Sequence, residues 1–166
     1  MNHVRPWTQR PPEVAALLNP AYCALLLRAA VDGYVKEAEA PFPFPLLPFP
    51  LPLSLHAPTR SSLPKTVRTK MHVWVQEHPE AKILFATRAR TLTPYFREGL
   101  IFAMAQEILA VDANGGIAQG AKKLRRPPVL KGGDAEAGLE AALFVGRWLA
   151  RAGDLRSVFI AWGVRP

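Results

Sequence analysis

The sequence predicts a mainly α-helical domain whose centre is winged-helix-like, three helices followed by a β-hairpin. Three observations predict it. Leu and Ala dominate the segments between proline clusters, and their apolar positions recur every three or four residues. Pro12, Pro20, Pro64, Pro79 and Pro94 stand where helices start, the one helical position that needs no backbone N–H. Asn114-Gly115 lies between two short apolar runs, the strongest local sign of a hairpin. A chain of 166 residues folds as a single domain and buries about two thirds of its unfolded surface.

Taken in order, residues 11–40 read as two helices. "RPPEVAALL" supplies one or two turns, and Asn19-Pro20 then caps and starts a longer helix reaching about Glu39. Its Tyr22, Leu25, Leu26, Ala29, Ala30, Gly33 and Tyr34 share one face, wide enough to be core. Residues 41–63 open with "PFPFPLLPFPLPL". Proline at every second or third position excludes a helix or a central strand and predicts an extended run. The residues between the prolines are all Leu or Phe, each worth roughly 1.5–3 kcal/mol when buried, so the stretch is expected to pack on its own chain or on a partner. "SLHAPTRSSLP" then reads as turns.

Residues 64–121 form the winged-helix-like unit. A helix over 64–77 turns Val67, Met71, Trp74 and Val75 inward, and another over 79–91 presents Ile83, Leu84 and Thr87. The third is the clearest: Thr93 caps, Pro94 starts, and Phe96, Leu100, Ala103, Met104 and Ile108 keep helical spacing. "ILAVDANGGIAQGA" is the hairpin. Residues 122–133 are a basic loop rich in Pro and Gly, and within 134–166 Asp134 caps a last long helix with Leu139, Ala142, Leu143, Gly146 and Leu149 on one face. Gly153 ends it. The tail, helix or strand, should dock through Val158, Phe159, Ile160 and Trp162.

Composition narrows the function. A formal charge of +8 and a pI of 10.2 suit an acidic partner, nucleic acid first, although arginines spread over a solvated surface would give the same number. Cys23, the single cysteine, has no disulfide partner and reads as a small buried hydrophobe in a reducing cytoplasm. The most apolar helical run is interrupted by Arg28 and Asp32 short of the ~20 residues a bilayer span needs, so a cytoplasmic protein without membrane association is expected.

Catalytic constellations are weak. His3, His56, His72 and His78 have no i, i+4 partner and no Cys or carboxylate at metal-ligand spacing. "GGIAQGAKK" lacks the Gly-Lys-Ser/Thr ending of a phosphate loop, and no Gly-x-Ser-x-Gly elbow occurs. A non-enzyme without cofactor or metal is expected. Two features suit binding. Lys122, Lys123, Arg125, Arg126 and Lys131 lie beside the expected wing, where phosphate contacts are made, although charge that keeps a loop soluble explains them too. Thr59-Arg60 can present a guanidinium fork to a carboxylate or phosphate; alternatively Thr59, Ser61 and Ser62 cap the next helix and Arg60 lies on its surface.

"LLNPAYCALLL", the apolar Pro/Leu stretch ending in "SLHAPTRSSLP", "TPYFREGLIFAMAQ", the Asn-Gly hairpin and the terminal "WGVRP" together resemble the small middle component of three-component ABC systems. The resemblance spans nearly the whole chain, and it departs from the family pattern in the prolines at 41–52, where relatives carry more Leu and Val. It implies a non-catalytic adaptor encoded with an SMC-type ABC ATPase and a third, effector-bearing component, in bacterial conflict with phages and plasmids, with DNA as a further associate of the complex. The residues expected to dock partners are then Thr59, Arg60, Phe42, Phe44, Phe49, Trp162 and Arg165. The alternative is a stand-alone winged-helix transcriptional regulator.

Overall fold

The computed structural model describes residues 5–125 and 132–165. It is mainly helical, with a two-stranded hairpin. A short α1, Pro12–Leu17, leads into α2, Pro20–Ala38, whose start is as expected: Pro20 takes the first position and the Asn19 side chain accepts from the Ala21 N–H at 2.8 Å. Helix α2 is the centre of the molecule. On one side lies α8, Asp134–Ala150, and on the other α7, Phe85–Ala105.

Small residues set how closely these helices approach. A Cβ built on Gly33 would overlap the Leu143 carbonyl oxygen, and one on Gly146 would overlap that of Ala30, so α2 and α8 touch backbone to backbone. Across the other face a Cβ on Gly99 would lie 2.6 Å from that of Cys23. Cys23 is fully buried, and desolvation pushes its thiol up to about 12, which leaves it an inert core group. The segment Pro12–Ala38 is long and apolar enough on average to cross a membrane, contrary to the sequence reading, but in the fold α2 is a core helix. Arg28 and Asp32, which interrupt its stripe, hold the hairpin: the Arg28 guanidinium donates to Asp32 at 2.7 Å and to the Ile108 carbonyl at 2.9 Å.

The far ends of α2 and α8 are joined by Glu37, which accepts from Arg147 at 3.0 Å and from Arg151. Those two hydrogen bonds hold the Glu37 carboxyl below its usual range. A depressed folded pKa stabilises above the unfolded carboxylate value and is lost as pH falls through the folded one. The melting temperature should therefore fall on acidification below the normal carboxylate range, and Glu37→Gln should lower it at neutral pH while shrinking that acid-induced drop. An unchanged drop, followed by thermal denaturation across pH, would remove Glu37 from this role.

The proline-rich stretch is packed, as its composition predicts, but it is not extended. Phe42 forms a bridge with Ile117, its N–H and carbonyl each paired at 2.8 Å. A 3-10 turn follows at Phe44–Leu46 and a one-turn helix, α3, at Pro50–Ser54. Prolines permit that helix because Pro50 and Pro52 fall in its first turn, where N–H groups have no intrahelical acceptor. Phe42, Leu46, Leu47, Phe49, Leu51 and Leu53 are buried; Phe44 is not. Helix α4, Ala57–Ser62, replaces the expected turns.

The hairpin forms where Asn114-Gly115 predicts it: β1, Leu109–Val111, pairs antiparallel with β2, Ile117–Gln119, with Ala110 opposite Ala118. Gly115 supplies a φ of 81°, and the Asp112 carboxylate accepts from the N–H of Asn114 at 2.9 Å and of Gly116 at 2.7 Å. The helices before it differ from expectation. The first, α5, is Met71–Glu77 and begins seven residues after Pro64. Thr66, Val67 and Thr69 are poor helix formers, and the Thr69 carbonyl is taken by Trp148 Nε1 at 2.7 Å, so a tertiary bond holds this segment out of the helix.

The next, α6, is only Pro79–Lys82, and the chain breaks at Ile83-Leu84 with Leu84 at φ 60°. Helix α7 then runs unbroken through Pro94, so Thr93 is not its cap. Proline removes one ladder bond, and the Thr93 hydroxyl donates to the Ala89 carbonyl at 3.0 Å in the same turn. Burial of Phe85, Phe96 and Ala103 along the helix favours its continuation. The order of three helices and a hairpin is present, but not a tri-helical unit: α5 packs on α9, Leu155–Trp162, while α7 packs on α2.

The tail is that helix α9, capped by Asp154, whose side chain accepts from the Ser157 N–H at 2.8 Å. Its Val158 and Trp162 dock as expected, and Ile160 faces solvent. Helix α8 has Gly133, not Asp134, at its cap.

Candidate partner-docking surface

The residues expected to dock partners separate into three places. Phe42 and Trp162 are core. The Phe42 ring lies 4.7 Å from Tyr34, and Trp162 sits 4.5 Å from Phe85 with its Nε1 donating to Met71 Sδ at 3.3 Å. Trp74 and Trp148 complete an aromatic cluster there, edge to face at 5.4 Å.

Thr59 and Arg60 stand on α4, on a different part of the molecule. Thr59 is buried and its hydroxyl lies 2.7 Å from His56 Nδ1, which also accepts the Thr59 N–H at 3.3 Å. Burial lowers the His56 pKa, with the Arg88 charge adding to it, so this ring is neutral at physiological pH. Arg60 donates to the Ser54 carbonyl at 2.9 Å and to Asp134. Its side chain therefore joins the end of α3 to the start of α8. Tyr22 braces the same place by donating to the Ala135 carbonyl at 3.0 Å, and burial pushes its hydroxyl up to about 12.

Phe44, Phe49 and Arg165 come together at a third place, a cleft of 780 Å³ between the 3-10 turn, the first half of α7 and the C-terminal tail. Phe49 forms its wall with Phe85, ring centroids 5.6 Å apart, and with Phe159, edge on at 5.3 Å. Phe44 is 48% exposed at the mouth. The sequence does not single out Arg90, which lines the same cleft from α7. Nothing local marks it, because its place beside the tail comes from the path of the chain.

Of the basic run, Lys122, Lys123 and Arg125 are exposed after β2, and Lys122 Nζ donates to Gln106 at 3.2 Å. Arg126 and Lys131 lie outside the described residues. Among the described residues no group of three His, Cys, Asp or Glu side chains is placed to hold a metal ion.

The fold is thus a mainly α-helical body with one hairpin among the described residues, and it carries an apolar cleft edged by arginine. Over residues 7–166 the chain matches the family model of the ABC-three component (ABC-3C) system Middle Component 3, and it belongs to that family. No curated protein and no solved structure matches it.

Proposed function

We propose that this chain is the non-catalytic adaptor of a three-component ABC complex, bridging an SMC-type ATPase and a third, effector-bearing component in bacterial defence against phage or plasmid DNA. The observation that carries the reading is the family match, which extends over residues 7–166. The chemistry of the chain agrees with it. Carboxylates such as Asp32, Glu37, Asp112 and Asp154 serve ion pairs, turns and caps. The thiol is sealed in the core, where its raised pKa withholds the thiolate needed for attack. The adaptor works in the cytoplasm.

Tagged protein expressed with its genomic neighbours should retain an ABC ATPase and a third protein in fixed ratio, read by the mass of the intact assembly. The exposed Lys122, Lys123 and Arg125 favour one competing reading, a stand-alone DNA-binding regulator. A regulator would purify as a dimer that holds one specific duplex, and that result would overturn the adaptor. Binding of the complex to DNA that weakens steeply with salt and ignores sequence would instead place the basic run as a phosphate contact within it.

A further inference from the structure

We propose that the cleft between the 3-10 turn, α7 and the tail is the socket for a peptide segment of another component of the complex, one that carries a bulky apolar side chain next to a carboxylate. The inference deepens the adaptor reading and rests on it. Its first support is charge. Arg90 and Arg165 are exposed at the cleft, and no carboxylate lines it. Arg28, Arg60, Arg88, Arg147 and Arg151 donate to carboxylates or carbonyls of the chain, whereas Arg68, Arg97 and Arg125 lie exposed on the surface like the cleft pair. What sets Arg90 and Arg165 apart is that both flank one apolar cleft, so a carboxylate entering it would meet positive charge.

The second support is the surface between the charges. Phe44 and Phe159 present aromatic surface to the cleft above the buried rings of Phe49 and Phe85, with Pro45 and Pro48 beside them. Proline and aromatic rings hold this shape with little side-chain entropy left to lose, which favours a pocket formed before binding. The volume of 780 Å³ admits two or three side chains. A duplex backbone would use the two guanidinium groups and leave the aromatic wall unfilled. A second copy of a chain with net charge +8 brings more positive than negative charge to the same place. An acidic-apolar segment of a partner uses both features.

The test is made in the assembled complex. A photo-crosslinking amino acid at Phe44, followed by mass spectrometry, should join the cleft to one segment of one other component, and that segment should contain Asp or Glu beside a large apolar residue. The double variant Arg90→Glu/Arg165→Glu should keep the melting temperature of the natural chain and bind that component roughly tenfold or more weakly, while the other component is retained. Phe44→Ser should do the same through lost apolar contact. Crosslinks to DNA, to a second copy of this chain, or to a segment without a carboxylate would overturn the proposal, as would full retention of both components by the charge-reversed variant. Those failures leave the adaptor reading standing. If the natural chain assembles with neither component, both are overturned.

Discussion

Gly146→Ala is expected to destabilise the protein, although glycine to alanine inside a helix ordinarily stabilises it by about 1 kcal/mol. The reversal comes from α8 lying against α2 with no room for a methyl group. A Cβ at residue 146 would overlap the carbonyl oxygen of Ala30, and backbone cannot rotate aside as a side chain can. The helices must part, and the opposing contact at Gly33 and Leu143 is then pulled open as well. Gly146→Val, adding two more carbons, should cost roughly 3–5 kcal/mol, among the largest effects of single substitutions. In a protein of ordinary stability, about 5–15 kcal/mol, that removes much of the margin. Urea denaturation reads both variants; a raised midpoint for Gly146→Ala would show that the helices have room to spare.

Phe42→Ala should cost about 3–5 kcal/mol, the range for emptying a buried aromatic site. Phe42 is fully buried, packs on Tyr34, and sits where the backbone bridges Ile117 of β2. The cavity would open between the proline-rich stretch, α2 and the hairpin, so hydrogen exchange at Ile117 should quicken along with the fall in stability. Phe44→Ala, two residues away and 48% exposed, should change stability by no more than about 0.5 kcal/mol. Equal losses from the two would contradict the separation of one phenylalanine into core and the other into a binding surface.

That separation is also where sequence and structure part. Six prolines alternate with Leu and Phe over 41–53, and the alternation says that the stretch is apolar and ordered. It does not say which rings are inside. Phe42 is placed by its bridge to β2, Phe49 by Phe85 and Phe159, and Phe44 is left outside by the 3-10 turn. The helical character of 50–54 was hidden for a related reason. Prolines exclude helix interiors, but a single turn has no interior, so a first-turn proline costs no hydrogen bond.

Thr59-Arg60 shows the same limit at the level of the site. The pair reads either as a guanidinium fork offered to a carboxylate or phosphate, or as a capping segment with Arg60 on the helix surface; the structure has Arg60 span from Ser54 to the carboxylate of Asp134, a residue far along the chain whose nearness no local pattern encodes. Arg90 is the converse case. It lies on an exposed turn of α7 with nothing local to mark it, and it gains meaning from Arg165 across the cleft. Only the chain's path brings the two together.

By itself the sequence determined the features whose causes lie within a few residues: the Asn19-Pro20 start of α2, the Asn114-Gly115 hairpin, and the motif order by which the chain resembles its family. Spacing put Leu143 on the apolar face of α8 and Tyr22 and Leu25 on that of α2, whereas Leu143 is exposed, Tyr22 and Leu25 are half-buried, and Val145, Cys23, Leu27 and Val31 are buried instead. The tertiary structure alone decided whether Pro94 breaks a helix, whether Thr69 joins one, and which arginines are spent on the fold and which face outward. The physical reason is one of range. Caps and turns are fixed by neighbouring backbone and side-chain groups, but a proline within a helix or a residue held out of one is settled by burial and hydrogen bonds from distant segments, which outweigh propensities of about 1 kcal/mol or less per residue.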